Sequence, residues 1–220
     1  MIEALVDGEF EGGLAMPPER DLAQRFGASR GTIREAIRSL REREMVAVVR
    51  GQGQRVRHSD LWRVSEALLL RAMLERDPDR ELLTEAIHGQ AVLLREAASR
   101  TTVIATDGDL RLMRERVEEF DRVQPLEPRV ADRDEQLLRA ELEFYEAVFK
   151  IAGNRVLTDL AAPLLELLTN LRRERAADRD AAAVRQCRRL LEAISSRDSE
   201  FARETTERNM RQLARWLGAG

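Results

Sequence analysis

Along the first sixty positions, apolar residues recur first at helical and then at alternating spacing. Leu22, Ala23 and Phe26 share one face of a helix that opens at Pro18, whose fixed φ suits a first turn. Glu19 and Asp21 lie in that turn, where the helix dipole favours acids. Gly27 is expected to end the helix in the left-handed region. Ser29 then reads as an N-cap, and Ile33, Ala36, Ile37 and Leu40 repeat as the buried stripe of a second helix. Met45, Val46, Val48 and Val49 form a β-prone run, Arg50-Gly51-Gln52-Gly53 a turn, and Gln54 to Arg57 a return strand. This succession of helix, tight turn, helix and hairpin is the order of a winged helix-turn-helix, which sets its second helix into the DNA major groove.

From Asp60 onward the pattern is helical, with glycine and proline gathered at breaks. Helices are expected over Asp60–Arg76 (Leu61, Val64, Leu68 and Met73 on one side), about Arg80–Arg100, and from a capping box at Thr106 and Asp109 to a stop before Pro125. After a turn over Pro125–Pro128, further helices are expected over Ala131–Gly153, Arg155–Ala176, Ala181–Ser195 and Asp198–Leu217. The fold class is therefore mainly α: a winged helix-turn-helix over residues 1–58, then an all-α helical bundle over residues 59–220.

The side of the second helix opposite its apolar stripe carries Arg30, Arg34, Arg38 and Arg41, with the hydroxyls of Ser29 and Thr32 near its start. On a lone helix such a row is a solvated face. Here a wing bearing Arg50 follows and Arg20 stands near the start of the first helix, so the row reads as a surface for phosphates and base edges. Charged residues make up 35% of the 220 positions while the formal net charge is −3, so this basic footprint is local and the acidic excess lies elsewhere. Cys187 is the single cysteine, which excludes an intramolecular disulfide and fits a reducing cytosol. No signal peptide or long apolar run is present, so a cytoplasmic protein with no membrane partner is expected. The chain has no Ser-His-Asp set and no Gly-rich loop leading to a lysine, which makes a DNA-targeted helical-bundle enzyme the remote alternative.

The stretch PPERDLAQRFGASRGTIREAIRSL, followed by RGQGQRV, resembles the DNA-binding domain of GntR-family bacterial transcription regulators. The resemblance implies DNA contacts from Arg20, Ser29, Arg30, Gly31, Thr32 and Arg34 and from the wing pair Arg50 and Gly51. Gly31 departs from the family, many members of which carry a larger hydroxyl or apolar residue there. Met1–Val6 is a short counterpart of the helix that normally precedes this unit, so the recorded start is expected to lie inside the natural one.

Downstream, the helix pattern, the segment EFYEAVFKIAGN and the closing LLEAISSRDSEFARETTERNM resemble the ligand-binding domain of the FadR branch, an all-α bundle that senses a metabolite. Many members hold a divalent metal with one aspartate and three histidines. Those positions fall here on Glu141, Tyr145, Cys187 and Asn209, none of them histidine. A neutral phenol and an amide are weak ligands for zinc, nickel or manganese, so no metal cofactor is expected and the four read as lining of an effector pocket. Zinc held by Glu141 and Cys187 with help from His88 is the alternative; otherwise His88 and His58 read as structural. Gln90, a further pocket residue, stands where many carboxylate-sensing relatives carry arginine.

Two effector classes remain. LWRVSEALLLRAML resembles the matching helix of the branch's acyl-CoA-responsive regulator, with Leu68, Leu69, Leu70 and Leu94 as candidate lining, and a small carboxylate held without metal is the other. The resemblance implies a homodimer on a palindromic double-stranded operator, acting as a repressor that a small-molecule effector releases. A ligand-blind constitutive repressor is the alternative.

Overall fold

A computed structural model gives the fold for residues 1–63, 67–123, 133–173 and 180–219. The chain forms two compact units, Met1–Pro78 and Asp79–Gly220.

In the first unit, helix α1 (Ile2–Val6) precedes α2 (Glu19–Phe26) and α3 (Arg30–Glu42). Gly27 caps α2 at φ 61°, a left-handed conformation that glycine adopts without a Cβ penalty. Ser29 caps α3, its hydroxyl accepting from the Thr32 N–H at 3.1 Å. Strands β1 (Val46–Val49) and β2 (Gly53–Val56) pair antiparallel, Val46 opposite Val56 and Val49 opposite Gly53, and an isolated bridge joins Ala15 to Arg55 at the hairpin's edge. Leu22, Ile33, Ile37, Leu40, Met45, Val46 and Val56 form one core, as the apolar pattern requires. Truncating one of the larger of these to alanine costs about 2–5 kcal/mol.

The segment after the wing departs from the expected single helix over Asp60–Arg76. Ser59–Leu61 is one 3-10 turn, Trp62 is extended, and helix α4 spans only Ala67–Leu74; Val64 lies outside the described residues. Specific bonds hold the chain off the helical path. The Trp62 indole N–H donates to the Arg57 carbonyl at 2.9 Å, and the Arg63 N–H to the Arg43 carbonyl at 2.9 Å. Glu44, left-handed at φ 57°, accepts from both Arg57 (3.0 Å) and Arg63 (3.1 Å). Helix α4 contacts α1, and Leu69 joins the first unit's core while Leu68 is exposed. Of the described residues after the wing, residues 59–63 and 67–78 fall within the first unit.

The second unit is helical throughout its described residues: α5 (Glu81–Ile104), α6 (Asp107–Val123), α7 (Arg133–Ile151), α8 (Arg155–Arg173), α9 (Asp180–Ser195) and α10 (Ser199–Leu217). The expected turn over Pro125–Pro128 and the helix start at Ala131 lie outside the described residues, as does Ala176. Helix α5 runs one turn further than its pattern suggests and packs most extensively on α10. The capping box holds: the Asp109 carboxylate accepts from the Thr106 N–H at 2.8 Å, and the Thr106 hydroxyl from the Asp109 N–H at 3.2 Å. Leu94, Met113, Phe120, Phe144, Tyr145, Phe149, Leu167 and Leu190 fill the interior. None of the described helices is long and apolar enough to cross a membrane.

Candidate functional site

The arginines of the first unit divide by what they touch. Arg25 is paired with Glu9 and lies 4.8 Å from the centroid of the Phe10 ring, Arg43 binds Ser39, Arg55 donates to the Gly13 carbonyl, and Arg57 is held by Glu44. These four brace the fold. Arg20, Arg30, Arg41 and Arg50 are exposed and make no ion pair among the described residues. Arg34 and Arg38 are exposed too, but Arg34 Nε donates to Glu19 at 2.7 Å and Arg38 pairs with Glu42 at 3.3 Å.

This division follows from the helix geometry. On α3 the stripe Ile33, Ile37 and Leu40 is buried, and Arg30, Arg34, Arg38 and Arg41 lie together on an exposed flank beside it. Ser29 and Thr32, whose hydroxyls lie 2.9 Å apart, sit with Gly31 in the first turn, where free N–H groups and the dipole suit a phosphate. Gly31 leaves its surroundings open: an added Cβ would meet only the Ser29 hydroxyl, at 3.6 Å. Arg50 and Gly51 form the exposed wing tip, Gly51 at φ 77°. Arg30, Arg34, Arg38 and Arg41 on α3 and Arg50 at the wing tip are thus all exposed.

The effector-pocket candidates from the sequence are all buried, on four helices: Gln90 on α5, Glu141 and Tyr145 on α7, Cys187 on α9 and Asn209 on α10. Three of them form one cluster, in which Tyr145 is coupled electrostatically to Cys187 and Glu141. The sequence reading missed its fourth member, Arg172 of α8, whose guanidinium donates to the Glu141 carboxylate with both side chains almost wholly buried. Burial pushes the Tyr145 phenol and the Cys187 thiol well above their ordinary ranges, and the Glu141 charge adds to both shifts, so both stay protonated. The Tyr145 hydroxyl faces a weak partner in the thiol and makes no well-formed hydrogen bond. Gln90 Oε1 is buried and has no hydrogen-bond partner among the described residues. Asn209 Nδ2 donates to the Gln186 carbonyl at 3.2 Å.

This donor set does not fit a divalent metal. Glu141 is already engaged by a cation, the thiol is neutral, the phenol is a poor ligand, and a metal ion there would face the Arg172 charge. His88 does not join the cluster: it lies on the exposed side of α5, in a groove with Arg95, Glu207 and Arg211. His58 packs on Gly12, where an added Cβ would lie 2.9 Å from Nδ1. A separate groove of about 830 Å³, lined by Leu142, Phe149, Ala162 and Leu165 with Lys150 and Arg155, contains none of the five candidates.

Residues 1–56 match the family of bacterial regulatory proteins, gntR family, and residues 85–212 match the FCD domain. The galactonate operon transcriptional repressor of Escherichia coli (strain K12) is 26% identical over 165 residues, 74% of this chain and 68% of that protein. The putative L-lactate dehydrogenase operon regulatory protein of the same organism is 25% identical over 171 residues, 76% of this chain and 62% of that protein. Among solved structures, Lar, described as controlling expression of the Listeria monocytogenes agr system, aligns with a TM-score of 0.64 at 16% identity over 99% of this chain and 92% of that one. Streptococcus agalactiae GntR aligns at 0.54 with 21% identity over 98% of this chain and 100% of that one, a likeness of fold.

Proposed function

This chain belongs to the gntR family of bacterial regulatory proteins and carries an FCD domain behind its winged helix, and from that premise we propose a metabolite-controlled repressor. It is a DNA-binding transcription regulator. In the proposed reading it is a cytoplasmic homodimer on a palindromic operator, each α3 in a major groove with its wing beside it. The observation that carries the DNA-binding part is the exposed face of α3, with Arg30 and Arg41 making no ion pair among the described residues and Arg34 held at its centre.

Effector binding in the bundle changes how the two winged helices present themselves to the half-sites, and operator affinity falls by the ligand's preference for the released state. Of the two effector classes, a small carboxylate is favoured by the buried guanidinium and by the operons named for the two curated relatives, which concern a sugar acid and a hydroxy acid. The acyl-thioester reading loses its expected lining, since Leu69 belongs to the first unit's core and Leu68 is exposed, and is supported instead by the apolar groove between α7 and α8.

A second copy is expected on the exposed apolar face of α8, where Val156 (68% exposed) and Leu160 (57%) stand one turn apart. A gel-shift titration with operator DNA, repeated with galactonate, lactate or an acyl-CoA, tests the reading. Release by one of them is expected, whereas tight binding unaffected by all three favours the ligand-blind alternative.

A further inference from the structure

Glu44 joins α3 to β1 with its backbone in the left-handed region, at φ 57°. That conformation sets a Cβ against the following carbonyl oxygen and is the ordinary place of glycine. The turn is closed by backbone bonds that any residue there could make: the Glu44 N–H donates to the Arg41 carbonyl at 3.0 Å and the Met45 N–H to the Leu40 carbonyl at 2.9 Å. What distinguishes Glu44 is its carboxylate. One oxygen accepts from Arg57, the residue after β2, at 3.0 Å, and the other from Arg63 at 3.1 Å. The three side chains are 31% to 60% exposed, so the two ion pairs add little to stability. Backbone strain held without a matching stabilising gain marks a position kept for what it places.

What Glu44 places is the wing. The hairpin leaves α3 through Glu44 and Met45 and returns at Val56, opposite Val46, where the Arg57 N–H donates to the Met45 carbonyl at 2.9 Å. The far edge of β2 is tied to residues 13–16, with the Met16 N–H on the Gln54 carbonyl at 2.8 Å and the Val56 N–H on the Leu14 carbonyl at 2.9 Å. On the α3 side the Glu44 carboxylate ties the end of the helix to both arginines at the wing base. Arg50, at the tip, is exposed and makes no ion pair among the described residues, so its place relative to α3 is inherited from that base.

We propose that Glu44 is a positioning residue of the DNA interface. It clamps the wing base to the end of α3, so that Arg50 meets the duplex at a fixed offset from the arginines of that helix. The inference rests on the reading of α3 and the wing tip as the DNA-contacting residues and adds the residue that sets one relative to the other.

The test uses the full chain as wild type, Glu44→Gly, Glu44→Asn, Arg50→Ala and the two doubles, titrated by fluorescence anisotropy with a duplex that the wild type selects from a random pool. Glycine and asparagine both accept the left-handed backbone and neither carries the carboxylate, so the Tm of both variants should stay at or above that of the wild type. Arg50→Ala is expected to weaken binding roughly tenfold in the wild-type background and less than about twofold beside either change at Glu44, because a loose wing no longer delivers the arginine. Comparing backgrounds cancels any phosphate contact that Arg57 and Arg63 gain on release. The same loss from Arg50→Ala in all three backgrounds overturns the clamp, whatever happens to Tm, and leaves the wing contact standing. A loss below about twofold in the wild-type background removes the wing contact, and the clamp with it.

Discussion

Glu19, in the first turn of α2, accepts from Arg34 Nε of α3 at 2.7 Å, so the helix that precedes the turn fixes the side chain at the centre of the arginine row. The pair is solvent-exposed and adds little to stability. In the proposed reading it acts on recognition, by limiting the rotamers from which Arg34 approaches a base or phosphate.

Arg34→Ala is expected to weaken operator binding by about 1–3 kcal/mol if Arg34 makes a bidentate base contact, with little change in Tm. Glu19→Gln should act differently. It removes a negative charge beside the DNA and frees Arg34, so affinity for random duplex rises and the operator-to-random ratio narrows. Fluorescence anisotropy at two salt concentrations checks both, and an unchanged ratio in Glu19→Gln contradicts the positioning role.

Breaking the buried pair from one side should be far more damaging than removing it whole. Glu141→Ala leaves Arg172 buried and unpaired, which costs about 3–5 kcal/mol, whereas Glu141→Gln/Arg172→Met should be close to neutral or stabilising. Urea denaturation separates the two, and equal losses would mean that the charges are solvated.

Legibility differs sharply between these two sites. Gly27, Ser29 and the Thr106 and Asp109 box announce themselves through local chemistry, so α2, α3, the wing and the start of α6 follow directly from the sequence. The expected helix over Asp60–Arg76 fails because bonds to the wing base, Trp62 to Arg57 and Arg63 to Glu44, override the local pattern. Arg172 gives no local signal. Within LRRER it looks like any surface arginine, and only the packing of α8 on α7 brings it to Glu141, thirty-one positions away. Gln90, Glu141, Tyr145, Cys187 and Asn209 emerge through the family resemblance as one set, but the cation that organises the cluster does not.

The titratable groups set limits at both ends of the pH scale. Hydrogen bonds from the Thr106 hydroxyl and N–H hold the Asp109 carboxyl below its usual range. Its contribution is therefore complete above about pH 4 and lost as pH falls through the lowered folded value. Cys187 and Tyr145 are shifted upward, so the unfolded chain releases their protons first and stability falls as pH rises above about 8.5. Cys187→Ala should flatten the alkaline limb and Asp109→Ala the acid limb of a Tm-against-pH curve. In the native protein the Cys187 thiol should react with an aromatic disulfide only as fast as the bundle opens.

Charge on the exposed apolar face of α8 should separate the copies. Val156→Glu/Leu160→Glu changes two largely solvated side chains, so the monomer should keep its helicity while its mass by light scattering halves and operator affinity drops. A dimer that persists in this variant assigns the face to something else.

The most direct measurement is selection of bound duplexes from a random-sequence DNA pool by the full chain, with Arg34→Ala run in parallel. The expected result is a two-fold symmetric sequence with half-sites about one helical turn apart, or a multiple of it, whose enrichment collapses at particular base positions in the variant. Enrichment of no sequence, or of the same sequence to the same degree by both proteins, would contradict recognition through the arginine face of α3.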